Sequence, residues 1–211
     1  MKKSFLTICL FFSFYFCSAQ LINGFGLTGG ISYGNEKFIF AKPASTIENK
    51  KYILGFNGSA FVEFFHGDYI RWVTELQYNQ KGSKDEQSAG TYTNKLQYGC
   101  FNNYLKLRTE LYSIIPYILL GPRIEYAISQ KTGSPIITDT FTPLHISPAV
   151  GAGIEFVSYG NIKFMMEAFY NPDISYAYQT EPLNIYNKNF EFRIGLKYVP
   201  GKRSTCNMPR A

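Results

Sequence analysis

The sequence predicts an all-β fold, an eight-stranded antiparallel up-and-down transmembrane β-barrel. Three observations predict it. Segments of about ten residues alternate apolar and polar side chains with period two. The connections between them alternate in length, short then long. The polar face of the segments mixes long charged side chains with glycine, which a packed lumen needs and a solvated sheet does not.

The chain opens on an export signal. Lys2 and Lys3 precede an apolar run from Phe5 to Phe16, and Cys17-Ser18-Ala19 offers small residues for cleavage. Residues 1–19 are therefore expected to be a signal peptide, with Gln20 beginning the mature chain. A lipoprotein signal built on Cys17 is the competing reading, although Phe16 rather than a small residue precedes that cysteine. The run is too short to span a bilayer as a helix, which takes roughly 20 residues. Beyond it no apolar stretch reaches that length. A membrane-spanning form of this chain must then be a closed barrel, which alone satisfies its backbone in lipid without helices.

Three segments alternate most clearly. In Tyr69 to Gln80 one face carries Ile70, Trp72, Thr74, Leu76 and Tyr78, and the other Arg71, Val73, Glu75, Gln77 and Asn79. Ile162 to Asn171 and Phe190 to Tyr198 repeat the pattern. Five more segments fit: Gly24–Gly34, Tyr52–Phe65, Leu96–Glu110, Pro116–Ala127 and Leu144–Phe156. An even total suits a single-chain bacterial barrel with both termini on one side. His66-Gly67-Asp68, Leu111–Ile115 and Val157–Asn161 are read as short periplasmic turns. Asn35–Lys51, Lys81–Lys95, Ser129–Phe141 and Pro172–Asn187 are read as long external loops. The barrel is thus expected over residues 20–200, in the outer membrane of a Gram-negative bacterium, with a basic tail over 201–211.

Aromatics gather at both ends of the apolar face, as interfacial girdles require. Tyr33, Tyr52, Tyr78, Tyr126, Tyr170 and Phe190 are expected near the outer rim; Phe25, Phe64, Trp72, Phe156 and Tyr198 near the inner rim. The opposite face is expected to carry a balanced charge network. Its acids are Glu63, Glu75, Glu110, Glu125, Glu155, Glu167 and Glu191. Its bases, equal in number, are Arg71, Lys106, Arg108, Arg123, Lys163, Arg193 and Lys197. Charges withdrawn from water must be paired or they cost several kcal/mol each, so equal numbers suit a filled lumen. Gly26, Gly30, Gly55, Gly121, Gly151, Gly153 and Gly195 make room for the long side chains.

The net charge of +6 then resides outside the lumen, in the signal, the first long loop and the tail. No contiguous basic and aromatic groove is present, which argues against nucleic acid. Scattered loop lysines are read as solvated. Cys100 and Cys206, the cysteines left after cleavage, are expected at opposite ends of the barrel and so unpaired. No CxxC pair or Cys/His cluster points to metal, and no cofactor loop is visible. His145 and Ser147 are two apart and share a face. With a nearby acid such a pair could form a hydrolytic site; a polar pair on the lumen face, with Glu155 deeper, is the plainer reading.

Several stretches resemble the small outer-membrane β-barrel family typified by PorT, related in shape to OmpX and the OmpA membrane domain. They are Tyr104-Leu105-Lys106-Leu107-Arg108, Pro116-Tyr117-Ile118-Leu119-Leu120-Gly121-Pro122, Gly151-Ala152-Gly153-Ile154-Glu155-Phe156 and Arg193-Ile194-Gly195-Leu196-Lys197-Tyr198. The resemblance covers about Gly24 to Val199 and implies fold rather than catalysis. It allows an accessory role in protein export, and the His145/Ser147 pair is similar to that of lipid A deacylases. One departure is that Tyr198 is followed by a basic tail instead of ending the chain. The expectation is a non-enzymatic monomer in outer-membrane lipid, without cofactor, whose long loops meet an extracellular ligand or protein partner.

Overall fold

The computed structural model describes residues 21–40, 46–87, 90–131, 133, 142–156, 160–174, 176, 178–180 and 183–201. The expected signal peptide, the tail beyond residue 201 and Cys206 lie outside them. The described residues form ten strands: β1 (Ile22–Phe40), β2 (Thr46–Asn49), β3 (Lys51–Phe64), β4 (Ile70–Gln87), β5 (Gly90–Arg108), β6 (Ile114–Lys131), β7 (Leu144–Phe156), β8 (Ile162–Pro172), β9 (Tyr178–Thr180) and β10 (Leu183–Tyr198).

Eight of them close a ring. β1 pairs with β3, each following strand pairs with the next up to β8, β8 pairs with β10, and β10 returns to β1 over Phe25–Phe40. All pairings are antiparallel. Closure leaves no edge in the ring, which is what lets strands sit in lipid. β2 and β9 are short additions, paired to the far ends of β1 and β10.

Period two decides which face each side chain takes. Outward residues such as Leu27, Leu54, Leu76, Ile146 and Leu196 are more than half exposed; their neighbours on the inward parity are buried or half-buried. The connection between β5 and β6 ends in a two-residue turn closed by hydrogen bonds of 2.9 Å in both directions between Leu111 and Ile114. Tyr112 takes the left-handed conformation that such a turn demands, at φ 49°.

The strands run further than the alternation indicates. β1 continues through Phe40, β4 through Gln87, β5 starts at Gly90 and β10 at Leu183, all inside segments read as loops. The reason is a change of solvent. Above the aromatic belt the outward face meets water and turns polar, so the contrast between faces disappears while the ladder continues. At this end the ring also folds over itself. A Cβ on Gly34 of β1 would lie 3.1 Å from the backbone nitrogen of Gly82 on β4, although β3 separates these strands in the ring. Phe38, Leu96, Tyr98, Cys100 and Ile185 pack beside that contact as a small apolar core.

Candidate functional site

The inward positions form a continuous plug. Nearest the short turns, Glu63 accepts hydrogen bonds from Asn23 Nδ2 (2.7 Å), Arg71 Nη1 (2.6 Å), Lys106 Nζ (2.8 Å) and Lys197 Nζ (3.2 Å). Lys106 and Lys197 also bind Glu155, the latter at 2.6 Å. Arg71 is fixed from below by its Nε donating to the Gly67 carbonyl at 3.0 Å.

The next layer is braced by Arg193. Its guanidinium joins Glu75 at 2.8 Å and Glu167 at 2.7 Å and lies 4.1 Å from the Phe169 ring centre. Tyr117 donates to Glu167 at 2.8 Å, and Lys106 Nζ sits 4.0 Å from the Tyr117 ring centre, tying the two layers together. Phe61, Val73, Tyr104, Leu119, Ala149 and Met165 fill the space between. The glycines set the fit: a Cβ on Gly153 would meet the Tyr117 ring at 2.5 Å, and one on Gly151 the Phe169 ring at the same distance. The gap left among Phe61, Tyr104, Lys106 and Arg193 measures about 10 Å³, no more than a single water needs.

Higher again, Glu191 is the hub. It accepts from Arg123 Nη1 and Gln77 Nε2 at 2.7 Å, from Asn79 and Asn171 at 2.9 Å, and from Asn189 at 3.0 Å. Arg123 also contacts Glu125 at 2.6 Å and donates to Cys100 Sγ at 3.3 Å. Lys81 then links Glu125 (2.7 Å) to Asp173 (3.2 Å). Glu36 accepts from Ser83 at 2.6 Å and from Asn94 at 3.0 Å.

Of the expected charge network, Glu63, Arg71, Glu75, Lys106, Arg123, Glu125, Glu155, Glu167, Glu191, Arg193 and Lys197 meet in this plug. Arg108 is buried at its mouth, and Lys163 is half-buried on the strand pair that carries Lys197. Glu110 is a correction. β5 ends at Arg108, so Glu110 lies beyond the wall with its side chain 68% exposed and meets Arg108 from outside at 2.5 Å. That guanidinium holds the Glu110 carboxyl below the usual carboxylate range. Glu36, Lys81 and Asp173 join the network without being expected there. Their parity relative to Ser32, Asn79 and Asn171, respectively, is the available signal, hidden by polar neighbours.

The residues expected in the girdles all lie on the outward face, Phe64 and Tyr78 less exposed than the rest. Phe25 opposes Tyr198 and Phe64 opposes Trp72 toward the short turns; Tyr33 opposes Phe190, which opposes Tyr170, toward the long loops. Tyr33 and Tyr52 stack at 4.6 Å. His145 and Ser147 point inward and are buried, opposite Glu125 and Arg123 in the register, with the His145 ring 5.6 Å from Tyr98. Glu155, expected deeper on the same face, lies in the Lys106 and Lys197 cluster at the other end of the lumen. Among the described residues no group of His, Cys, Asp or Glu is arranged to hold a metal ion.

A family model described as "Outer membrane protein beta-barrel domain" matches residues 19–178. No curated protein sequence matches the chain. Several solved structures share its fold. Neisserial surface protein A is 15% identical with a TM-score of 0.50, covering 83% of this chain and 96% of its own. OprG from Pseudomonas aeruginosa is 12% identical with a TM-score of 0.55, covering 85% and 96%. The outer membrane protein AlkL is 13% identical with a TM-score of 0.55, covering 89% and 94%.

Proposed function

The chain belongs to the outer membrane protein β-barrel domain family, and so to the outer membrane of a Gram-negative bacterium; on that premise we propose that it is a non-conducting barrel that works through its surfaces. The long-loop end faces the exterior and both termini lie in the periplasm. The lumen is structural, and the loop end meets a ligand or protein partner.

The observation that carries this reading is the cross-braced plug. Arg193 and Glu191 each bind partners on several strands, and the gap beside Arg193 is only about 10 Å³. Opening a path past them would strand buried charges. His145 and Ser147 face this interior and not lipid, which supports a non-enzymatic role.

The test is an epitope inserted at Gly133, which is exposed at the loop end, read on intact cells. Binding of an antibody without permeabilisation is expected; binding only after permeabilisation would overturn the orientation. A deletion strain separates the finer alternatives. Loss of secreted cargo would favour an export accessory, and a changed lipid A mass would favour an enzyme; neither is expected.

A further inference from the structure

The outward face changes character at one end only. Below the girdle residues Tyr126 and Phe190 it is apolar. Above them, beyond Ile128, it carries exposed lysines on β5 and β6. Leu96 is fully buried, so Lys95 beside it on β5 points outward, and it is exposed. Its register partner on β6 is Lys131, also exposed. On the neighbouring strand pair Lys51 opposes Lys84. Like charges placed directly opposite each other disfavour a sheet, so the Lys95–Lys131 pairing favours an anion between the two ammonium groups.

Asp85 and Glu86 lie further along β4, opposite Tyr92 and Thr91, whereas Lys95 opposes Gly82; two other carboxylates of this end, Glu36 and Asp173, are committed elsewhere. Both are buried and turned inward, bonded to Ser83 and Asn94 and to Lys81. The short-turn end has no such collar among its described residues; its exposed positions include Phe65, Asp68, Tyr69, Glu110, Leu111 and Tyr112. Among the described residues, the exposed lysines Lys95 and Lys131 thus lie together at the long-loop end.

A second observation lies directly beneath. The same strands, β4 to β6, form a lipid-facing groove of about 470 Å³ lined by Leu76, Tyr78, Gly99, Phe101, Tyr126 and Ile128. Gly99 lies opposite Tyr126 and, having no side chain, leaves the floor open. A Cβ at Gly99 would find Ile128 Cδ1 nearest, at 3.4 Å, so nothing in the backbone demands glycine there. An apolar groove under a pair of ammonium groups is complementary to a molecule with an anionic head and a hydrocarbon chain.

We propose that this face binds a phosphorylated lipid of the outer leaflet, with a phosphate held between Lys95 and Lys131 and an acyl chain in the groove floored by Gly99. The site rests on the orientation given under the proposed function. Both parts act together: the groove positions the chain, and the lysines, whose stems reach along the wall, select the charge.

The experiment uses the full mature chain, refolded in dodecyl maltoside micelles that contain lipid A or dephosphorylated lipid A, with bound lipid counted by native mass spectrometry. The phosphorylated form should bind about 25-fold more tightly, from roughly fivefold per lysine. K95Q/K131Q should remove that preference, and G99L should weaken binding of both forms several-fold. Neither variant touches the lumen, and retained heat-modifiable migration on gels confirms the fold. Equal binding of the two lipid forms by the unaltered protein, or an unchanged preference in K95Q/K131Q, would overturn the proposal. So would displacement of the lipid by about 10 mM inorganic phosphate, a large excess over ordinary lipid affinities, which would point to a bare anion site. Micelles are blind to orientation, so the intact-cell epitope result stands or falls separately.

Discussion

Arg193 on β10 reaches across the barrel to Glu75 on β4, Nη1 to Oε1 at 2.8 Å, joining residues 118 apart in the chain. Its other terminal nitrogen holds Glu167, directly opposite on β8, at 2.7 Å. One guanidinium thus ties opposite and adjacent walls together and satisfies two buried carboxylates.

Removing it should be costly. Arg193→Met keeps much of the volume but leaves Glu75 and Glu167 short of a cation, at a cost of about 3–5 kcal/mol. Urea unfolding in detergent, followed by the loss of fast migration on unboiled gels, measures it. Adding Glu75→Gln and Glu167→Gln should recover most of the loss. A cost under about 1 kcal/mol for the single variant would mean that the pairs are not buried together.

The glycines should divide by face. A Cβ on Gly153 would come within 2.5 Å of the Tyr117 ring, so Gly153→Ala overpacks the lumen and should cost about 1–3 kcal/mol. Gly29 faces outward with 3.9 Å to its nearest neighbour, so Gly29→Ala should change stability by less than about 1 kcal/mol. The same unfolding assay compares them; equal effects would contradict the inward fit.

Cys100 should be silent to solvent. It is 3% exposed and takes a hydrogen bond from Arg123. In a Cys206→Ser background a membrane-permeant maleimide should leave the folded barrel unlabelled and react fully after boiling. Rapid labelling of the folded protein would show water reaching the middle of the lumen.

What the sequence reveals of this barrel depends on where two solvents meet. From Ile70 to Tyr78 the outward residues face lipid and the inward ones face charge, so alternation is strong and both faces follow from it. From Lys81 to Lys95 both faces are polar, and the strands there resemble a loop. Lys81, Glu36 and Asp173 escape the expected network for that reason. Glu110 enters it wrongly because parity alone carries a strand past its end; nothing local marks β5 as stopping at Arg108. The partners of each charge are not encoded locally at all. Arg193 with Glu75, or Glu63 with Lys197, depends on how the ring closes.

Single-channel recording of the purified protein in planar bilayers decides whether the lumen is shut by its own side chains. The membrane should stay silent at protein levels where a porin conducts. Current should appear only when the plug is breached, as in Arg123→Ala combined with Arg193→Ala. Stable open steps of porin size from the unaltered protein would show instead that water and ions pass the Arg193 layer.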